Sequence, residues 1–164
     1  NDQTKLGQQV YDSNVNIQNF VKETIDLDLV AIWELTSNLN QVVLKYPKTE
    51  LTLLQIRDQN TGEYLDIYSN PLVLKYNIKC VNKYEVTNLD ELMKLAETLE
   101  NIEGWVIEFE DGMLIKLKVL WYVKLHGLVE KISTENFIMK LIVENQIDDA
   151  ISELDINDSR RVII

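Results

Sequence analysis

The sequence predicts an α+β fold in which strands and hairpins come first and helices gather towards the C-terminal end. Apolar runs suited to strands occupy residues 29–35, 41–46 and 51–57. Two further apolar runs flank Asp111-Gly112, a dipeptide that favours a tight hairpin. Beyond residue 119 the apolar positions recur at helical spacing instead.

Capping residues and periodicity predict the elements between these strands. Apolar residues recur irregularly over residues 7–22, where we expect one helix. Asn88 is placed to cap a helix whose apolar stripe runs over residues 89–99. Over residues 67–84 the pattern is mixed, and Pro71 acts as a breaker. We expect only short strands or irregular chain there.

The C-terminal end is predicted to be helical. An amphipathic stretch covers residues 120–131, residues 134–136 cap a second helix, and residues 147–154 fit a third. The sequence contains no internal repeat and no low-complexity linker. We therefore expect a domain boundary between residues 131 and 132.

The net charge of the chain disfavours binding of polyanions by long-range electrostatic attraction. The 164 residues include 27 acidic and 16 basic side chains, which gives a net charge of −11. Such a surface repels phosphate backbones as a whole. Any contact with nucleic acid must rest on a local basic site or on a part of the protein outside this chain.

Cysteine content and hydropathy fit a cytoplasmic location. The single cysteine, Cys80, excludes an internal disulfide, as is usual in a reducing compartment. No apolar run approaches the roughly 20 residues of a membrane span, and the N-terminal residues lack the layout of a signal peptide. We expect no association with a membrane.

The hairpin around Asp111-Gly112 gathers charges on one face. A two-residue loop would place Trp105 opposite Lys118, so that Glu103, Trp105, Lys116 and Lys118 share a face. Charge among apolar side chains is costly unless a ligand compensates it, and two lysines favour an anion. The alternative is a surface hairpin with a weakly stabilising cross-strand ion pair. The opposite face is predicted to be core and carries Val106, Ile115, Leu117 and Val119.

Glu34 interrupts an apolar strand. The run over residues 29–35 is apolar on both faces, which is typical of a central strand. A carboxylate between Ile32 and Leu35 is paired, faces a ligand, or points to water from the strand end. The spacing alone leaves these alternatives open.

Taken in order, these elements resemble motifs III, IIIa, IV and V of the covalent nucleotidyltransferases, which comprise RNA ligases, DNA ligases and mRNA capping enzymes. The resemblance is greatest to the tRNA-repairing RNA ligases of T-even bacteriophages and covers about residues 28–155. The segments that carry it are Glu34 with Asn40 and Tyr46, residues 53–57, residues 61–64, residues 103–106, residues 116–118 and residues 121–126.

The resemblance implies an antiparallel nucleotidyltransferase (ATP-grasp-like ligase) domain with flanking helices. Residues 1–131 would be its C-terminal portion, and residues 132–164 the start of an all-helical domain. It also implies ATP-dependent joining of 5′-phosphate and 3′-hydroxyl RNA ends, as in nicked tRNA, through lysyl-AMP and RNA-adenylate. ATP and Mg²⁺ would be the cofactors, and RNA repair the setting.

The resemblance assigns roles to the charged residues of the hairpin. Lys116 and Lys118 would neutralise charge that develops on the α-phosphate. Glu103 would bind Mg²⁺ directly or through water, and Asp148 could add a metal contact. The nucleotide-binding set implied by the resemblance is Glu34, which would hold the ribose, Gly104, Lys116, Lys118 and Tyr122.

The nucleophile of the family lies in a Lys-x-Asp-Gly motif before motif III, and this sequence contains none. Residues 83–86 and 124–127 mimic the motif but follow motifs IIIa and V, respectively. We therefore expect a portion of a ligase downstream of its nucleophile. The alternative is a non-catalytic binding or assembly module with the same fold. A DNA ligase or capping enzyme would need an OB-type domain after motif V, against the predicted helical tail.

Overall fold

The computed structural model describes residues 2–39, 43–86, 88–132 and 134–153. The chain divides into two compact units. Unit 1 comprises Asn1–Gln41 and Lys45–Glu85, and unit 2 comprises Val42–Leu44 and Val86–Ile164. Each unit combines helices with an antiparallel sheet, which confirms the predicted α+β class. The domain boundary between residues 131 and 132 remains a prediction.

Unit 1 begins with two helices where one was predicted. They are α1 (Asp2–Ser13) and α2 (Val15–Asp26). Asn14 lies between them with extended backbone angles, and its side chain accepts hydrogen bonds from the amides of Asn16 and Ile17. This N-cap satisfies the first amides of α2 and starts a new helix. The single helix expected over residues 7–22 was therefore wrong.

The sheet of unit 1 has the antiparallel order β1 (Leu29–Thr36), β2 (Glu50–Asp58) and β3 (Tyr64–Leu65). In the described part of the chain β1 pairs with β2 alone, so β1 is an edge strand. Leu29 is buried, whereas Val30 and Ile32 on the opposite face are 43% and 37% exposed. Among the described residues the prediction of a central strand was wrong, because β1 pairs along one edge only and one of its apolar faces is partly exposed.

The strand predicted over residues 41–46 is not present where the structure describes the chain. Residues 40–42 lie outside the described residues, and residues 43–46 form no strand. Val43 and Leu44 pack instead against a hydrophobic cluster of unit 2. Burial in that cluster removes their apolar side chains from water without any strand pairing.

A third helix of unit 1, α3 (Pro71–Tyr76), replaces the irregular chain expected there. Pro71 occupies the first helical turn, and the Asn70 side chain accepts a hydrogen bond from the Leu72 amide. A proline is favoured at this position because its fixed φ suits a helix and it lacks an amide that would need a partner. Pro71 thus starts a helix rather than breaking one.

The core of unit 1 lies between these helices and the sheet. Phe20, Leu53 and Ile56 are fully buried. Phe20 makes edge-to-face contacts with Trp33 and Tyr76 at centroid distances of 5.7 and 6.5 Å. The other buried hydrophobic residues of this core are Ile17, Leu29, Ile67, Val73 and Ile78.

The described part of unit 2 forms one hairpin and four helices, close to the predicted pattern. The hairpin strands are β4 (Gly104–Glu108) and β5 (Leu114–Lys118). Asn88 caps the first helix by accepting hydrogen bonds from the amides of Asp90 and Glu91, as predicted. The helices are α4 (Leu89–Thr98), α5 (Leu120–Ile132), α6 (Glu135–Val143) and α7 (Ile147–Glu153).

Unit 2 has two hydrophobic clusters. The first, around Ala96, Val119 and Tyr122, joins α4 and the hairpin to the start of α5. The second joins the end of α5 to α6 and α7, and its buried residues are Val129, Ile132, Leu141 and Ala150. None of the helices that the structure describes is long and apolar enough to span a bilayer.

Candidate functional site

The hairpin closes with a three-residue loop instead of the predicted two-residue loop. The Phe109 amide donates to the Met113 carbonyl at 2.9 Å, and the Gly112 amide donates to the Phe109 carbonyl at 2.9 Å. Gly112 has a φ of +81°, and the Asp111 side chain accepts a hydrogen bond from the Met113 amide. A turn followed by a left-handed glycine is a common three-residue hairpin loop.

The longer loop moves the pairing by one residue and exchanges side chains between the faces. Trp105 lies opposite Leu117 and packs in the first hydrophobic cluster. Val106 lies opposite Lys116 and is 63% exposed. The prediction that Trp105 shares the lysine face was therefore wrong, as was the prediction that Val106 and Ile115 are core residues, since both are exposed.

Glu103 reaches the two lysines in spite of this register. Its Oε1 atom lies 2.7 Å from Lys116 Nζ and 3.3 Å from Lys118 Nζ. Gly104 has a φ of +146°, and a Cβ at this position would lie 2.0 Å from the Leu117 carbonyl oxygen. This glycine backbone breaks the strand alternation just after Glu103. We call Glu103, Lys116 and Lys118 the charge cluster.

The charge cluster carries one more positive charge than negative charge. The side chains of Glu103, Lys116 and Lys118 are 29%, 54% and 40% exposed. Partial burial tends to raise the pKa of Glu103, but the hydrogen bonds and charges of both lysines outweigh burial and leave that pKa below its ordinary value. Glu103 is therefore ionised at neutral pH, and the two ammonium groups beside it suit an anionic ligand.

Tyr122 belongs to the same corner of unit 2. Helix α5 begins two residues after Lys118, and Tyr122 lies in its first turn. Lys118 Nζ lies 5.1 Å from the centroid of the Tyr122 ring, which is only 9% exposed. Gly104 pairs with Lys118 across the hairpin. The structure thus brings together Glu103, Gly104, Lys116, Lys118 and Tyr122.

Glu34 and Asp148 lie on other elements. Glu34 is exposed on β1 of unit 1, opposite Thr52. Asp148 is exposed in the first turn of α7, beside the second hydrophobic cluster of unit 2. Their predicted ribose and metal roles remain predictions.

The charge cluster suits phosphate better than it suits a metal ion held by protein groups alone. Across the described ranges, no group of three or more His, Cys, Asp or Glu side chains could hold a metal. Mg²⁺ often binds one or two carboxylates together with phosphate oxygens and water. The Glu103 carboxylate fits that mode as a single ligand, once a phosphate supplies further oxygens.

The sequence did not predict that Val106 lies on the same face of the hairpin as Lys116 and Lys118. Its position depends on the loop length, and Asp-Gly occurs in hairpin loops of more than one length. Gly104 was the available signal for the position of Glu103, because a glycine at the start of a strand can adopt a positive φ and allow close approach of another backbone.

Comparison with known proteins defines the family. The sequence matches the family model for RNA ligase over residues 1–142. The chain belongs to the RNA ligase family. A curated relative from Thermovibrio ammonificans, named "Putative RNA ligase", is 27% identical in an alignment 156 residues long that covers 91% of this chain. The chain spans 41% of the length of that relative.

Proposed function

We propose that the protein to which this chain belongs is an ATP-dependent RNA ligase that joins 5′-phosphate and 3′-hydroxyl RNA ends through lysyl-AMP and RNA-adenylate. In this proposal the charge cluster binds the phosphates of the nucleotide. The observation that supports it most directly is the pair of lysines that share the carboxylate of Glu103, at 2.7 and 3.3 Å, in a chain of the RNA ligase family.

The two lysines suit electrostatic stabilisation. Transfer of an adenylyl group develops negative charge on the α-phosphate, and fixed cations lower the barrier most when they are already in place. Lys116 and Lys118 project from one strand and share Glu103, so both ammonium groups are held before a ligand binds. Because the sequence contains no Lys-x-Asp-Gly, we assign neither lysine as the nucleophile.

Glu103 is the residue of the cluster that would hold Mg²⁺ with the phosphates. A bound Mg²⁺ would neutralise phosphate charge and orient the leaving group. The Glu103 side chain is ionised and 29% exposed, which leaves the carboxylate accessible to a hydrated cation. The proposed roles of Glu34 towards ribose and of Asp148 towards metal rest on the resemblance alone.

Specific binding of RNA would not come from the overall charge of −11. The two lysines of the charge cluster are a local basic site on this acidic chain. A 5′-phosphate end could use the same electrostatic contacts as the nucleotide, whereas an RNA duplex backbone would meet mostly acidic surface. We therefore propose that this chain recognises the reacting ends more than the body of the RNA.

Covalent labelling by ATP tests the proposal. The full-length protein is incubated with ATP labelled at the α-phosphate, and the protein-bound label is measured after denaturation. We expect Lys116→Ala and Lys118→Ala to reduce labelling by orders of magnitude, as removal of a charge-stabilising group does elsewhere. Lys94→Ala, which removes an exposed lysine from α4, is the matched control and should label normally.

Circular dichroism confirms that each variant is folded before labelling is compared. Normal labelling in both Lys116→Ala and Lys118→Ala would overturn the assignment of the charge cluster. A wild-type protein that binds ATP but never becomes labelled would support the alternative of a non-catalytic module.

A further inference from the structure

The ammonium of Lys118 is close to two groups that attract it. Glu103 Oε1 is 3.3 Å from Lys118 Nζ, and the Tyr122 ring centroid is 5.1 Å from it. The ring distance falls within the roughly 6 Å at which an aromatic face attracts a cation. Glu103 lies farther from Lys118, at 3.3 Å, than from Lys116, at 2.7 Å. Because the longer ion pair holds its ammonium less strongly, a second contact contributes more to the position of Lys118.

A lysine needs such a contact because its side chain is a flexible four-carbon chain. The Lys118 side chain is 40% exposed, and solvent competes for its ammonium. By contrast, Tyr122 is fixed in position. It is 9% exposed and belongs to the buried cluster that contains Ala96 and Val119.

The location of Tyr122 on α5 explains how the ring faces the lysine. Lys118 ends β5, and Tyr122 follows four residues later in the first turn of α5. One helical turn further on, His126 packs on the Tyr122 ring with the centroids 5.7 Å apart. Val119, fully buried between strand and helix, fixes the connection. The Tyr122 ring is thus held by packing, and it offers its face to the more exposed Lys118 side chain.

We propose that Tyr122 is a positioning residue that acts through Lys118: its ring face holds the lysine ammonium in the charge cluster. This inference rests on the proposed function, since it explains how one of the two phosphate-binding cations is kept in place. It differs from direct recognition of the nucleotide by Tyr122, because removing Lys118 should remove the contribution of Tyr122 as well.

The first test is spectroscopic and needs no activity. The chain is labelled with ¹³C at the lysine ε-carbons, and Lys118→Arg identifies the Lys118 signal by its disappearance. A cation above a ring has its ε-protons shielded by the ring current. We expect this shielding in the wild type and in Tyr122→Phe, and its loss in Tyr122→Leu. Val129→Ala, a core change on α5, should leave it intact.

Persistence of the shielding in a folded Tyr122→Leu variant would overturn the proposal. If the leucine variant does not fold, pentafluorophenylalanine at position 122 takes its place, because it keeps the ring shape and reverses the quadrupole. The ammonium should then leave the ring, and Lys118 should lose its characteristic shift. An unchanged Lys118 signal with this ring would also overturn the proposal.

The second test is a double-mutant cycle on ATP-dependent labelling of the full-length protein. Tyr122→Leu should slow labelling several-fold, Tyr122→Phe should restore most of the rate, and adding Tyr122→Leu to Lys118→Met should cost nothing further. An equal loss in both backgrounds would show that Tyr122 acts independently of Lys118. If the wild type is never labelled, the proposed function fails, while the spectroscopic test still decides the role of Tyr122.

Discussion

The carboxylate of Glu103 and the ammonium of Lys116 form a 2.7 Å ion pair between residues that strict strand alternation would place on opposite faces of the hairpin. Gly104 makes the pair possible, because its backbone adopts a φ of +146° and approaches the Leu117 carbonyl closely. The charge cluster therefore depends on a residue without a side chain as much as on its charged residues.

Gly104→Ala should disrupt both the hairpin and the site. The new Cβ would overlap the Leu117 carbonyl oxygen at 2.0 Å, and alanine at this φ is strained as well. Strain and overlap together are expected to destabilise unit 2 by about 3 kcal/mol or more. Thermal unfolding followed by tryptophan fluorescence measures the change, and labelling by ATP should be lost with it.

Gly112→Ala measures the cost of backbone strain alone, without the steric overlap that a Cβ would cause at Gly104. Gly112 has a φ of +81°, but nothing lies within 4 Å of its added Cβ. This variant should lose only about 1–2 kcal/mol, the cost of a left-handed alanine, and should keep its labelling. Equal destabilisation of the two variants would contradict the close approach described for Gly104.

Glu103→Gln should strengthen binding of anions in the absence of metal. The Glu103 carboxylate compensates one of the two lysine charges and repels an incoming phosphate. A unit charge about 4 Å away contributes about 1 kcal/mol in a water-like medium, so its removal should raise the affinity for tripolyphosphate roughly five- to tenfold in EDTA. Isothermal titration calorimetry measures this affinity.

Glu110→Gln is the matched control for this prediction. Glu110 lies exposed in the hairpin loop, so its neutralisation changes net charge without touching the charge cluster. Tripolyphosphate affinity should change little in Glu110→Gln. Similar increases in both variants would mean that net charge, and not the position of Glu103, governs anion binding.

Glu23 should make the stability of unit 1 depend on pH. Hydrogen bonds from Lys75 and Tyr76 lower the pKa of Glu23 below its ordinary value and link α2 to α3. A carboxyl whose pKa is lower in the folded state stabilises the fold above its unfolded pKa, and this stabilisation is lost as the pH falls through the folded value. Unit 1 should therefore lose stability in acid, below roughly pH 4.

Glu23→Gln should consequently lower the unfolding temperature at neutral pH, and its difference from the wild type should shrink in acid. Glu63→Gln, at an exposed position of the same unit, is the control and should follow the wild-type profile. A constant difference between Glu23→Gln and wild type across the acid range would refute the linkage.

Local signals in the sequence predicted much of the fold. The helix capped by Asn88 was correct in stripe and cap, because capping and periodicity depend on neighbouring residues. The helix predicted after residue 134 was also correct, but the Thr134 side chain makes no capping hydrogen bond.

Two failures were local, because the caps at Asn14 and Asn70 start helices that the periodicity did not indicate. Two others depend on tertiary packing. The run containing Val43 and Leu44 has strand character but packs in a cluster of unit 2, and Val30 and Ile32 of β1 lie on a partly exposed face.

The sequence predicted which charged residues come together at the candidate site, but it did not predict how the two hairpin strands pair. The residue types around Glu103, Lys116 and Lys118 could be selected from the sequence, since both flanking strands and the turn dipeptide were evident. The loop length could not, because Asp-Gly permits two- and three-residue loops, and a shift of one residue exchanges the faces. The predicted approach of Glu103 to the lysines therefore depends on Gly104, which the alternation argument did not include.

Protection of lysines by ATP tests the central claim most directly. The full-length protein is acylated briefly with and without ATP and Mg²⁺, and the modification of each lysine is measured by mass spectrometry. Lys116 and Lys118 are 54% and 40% exposed and therefore accessible to reagent. We predict that ATP protects both lysines and leaves Lys94 unchanged. Equal modification of Lys116 and Lys118 with and without saturating ATP would contradict the assignment of the charge cluster as the phosphate site.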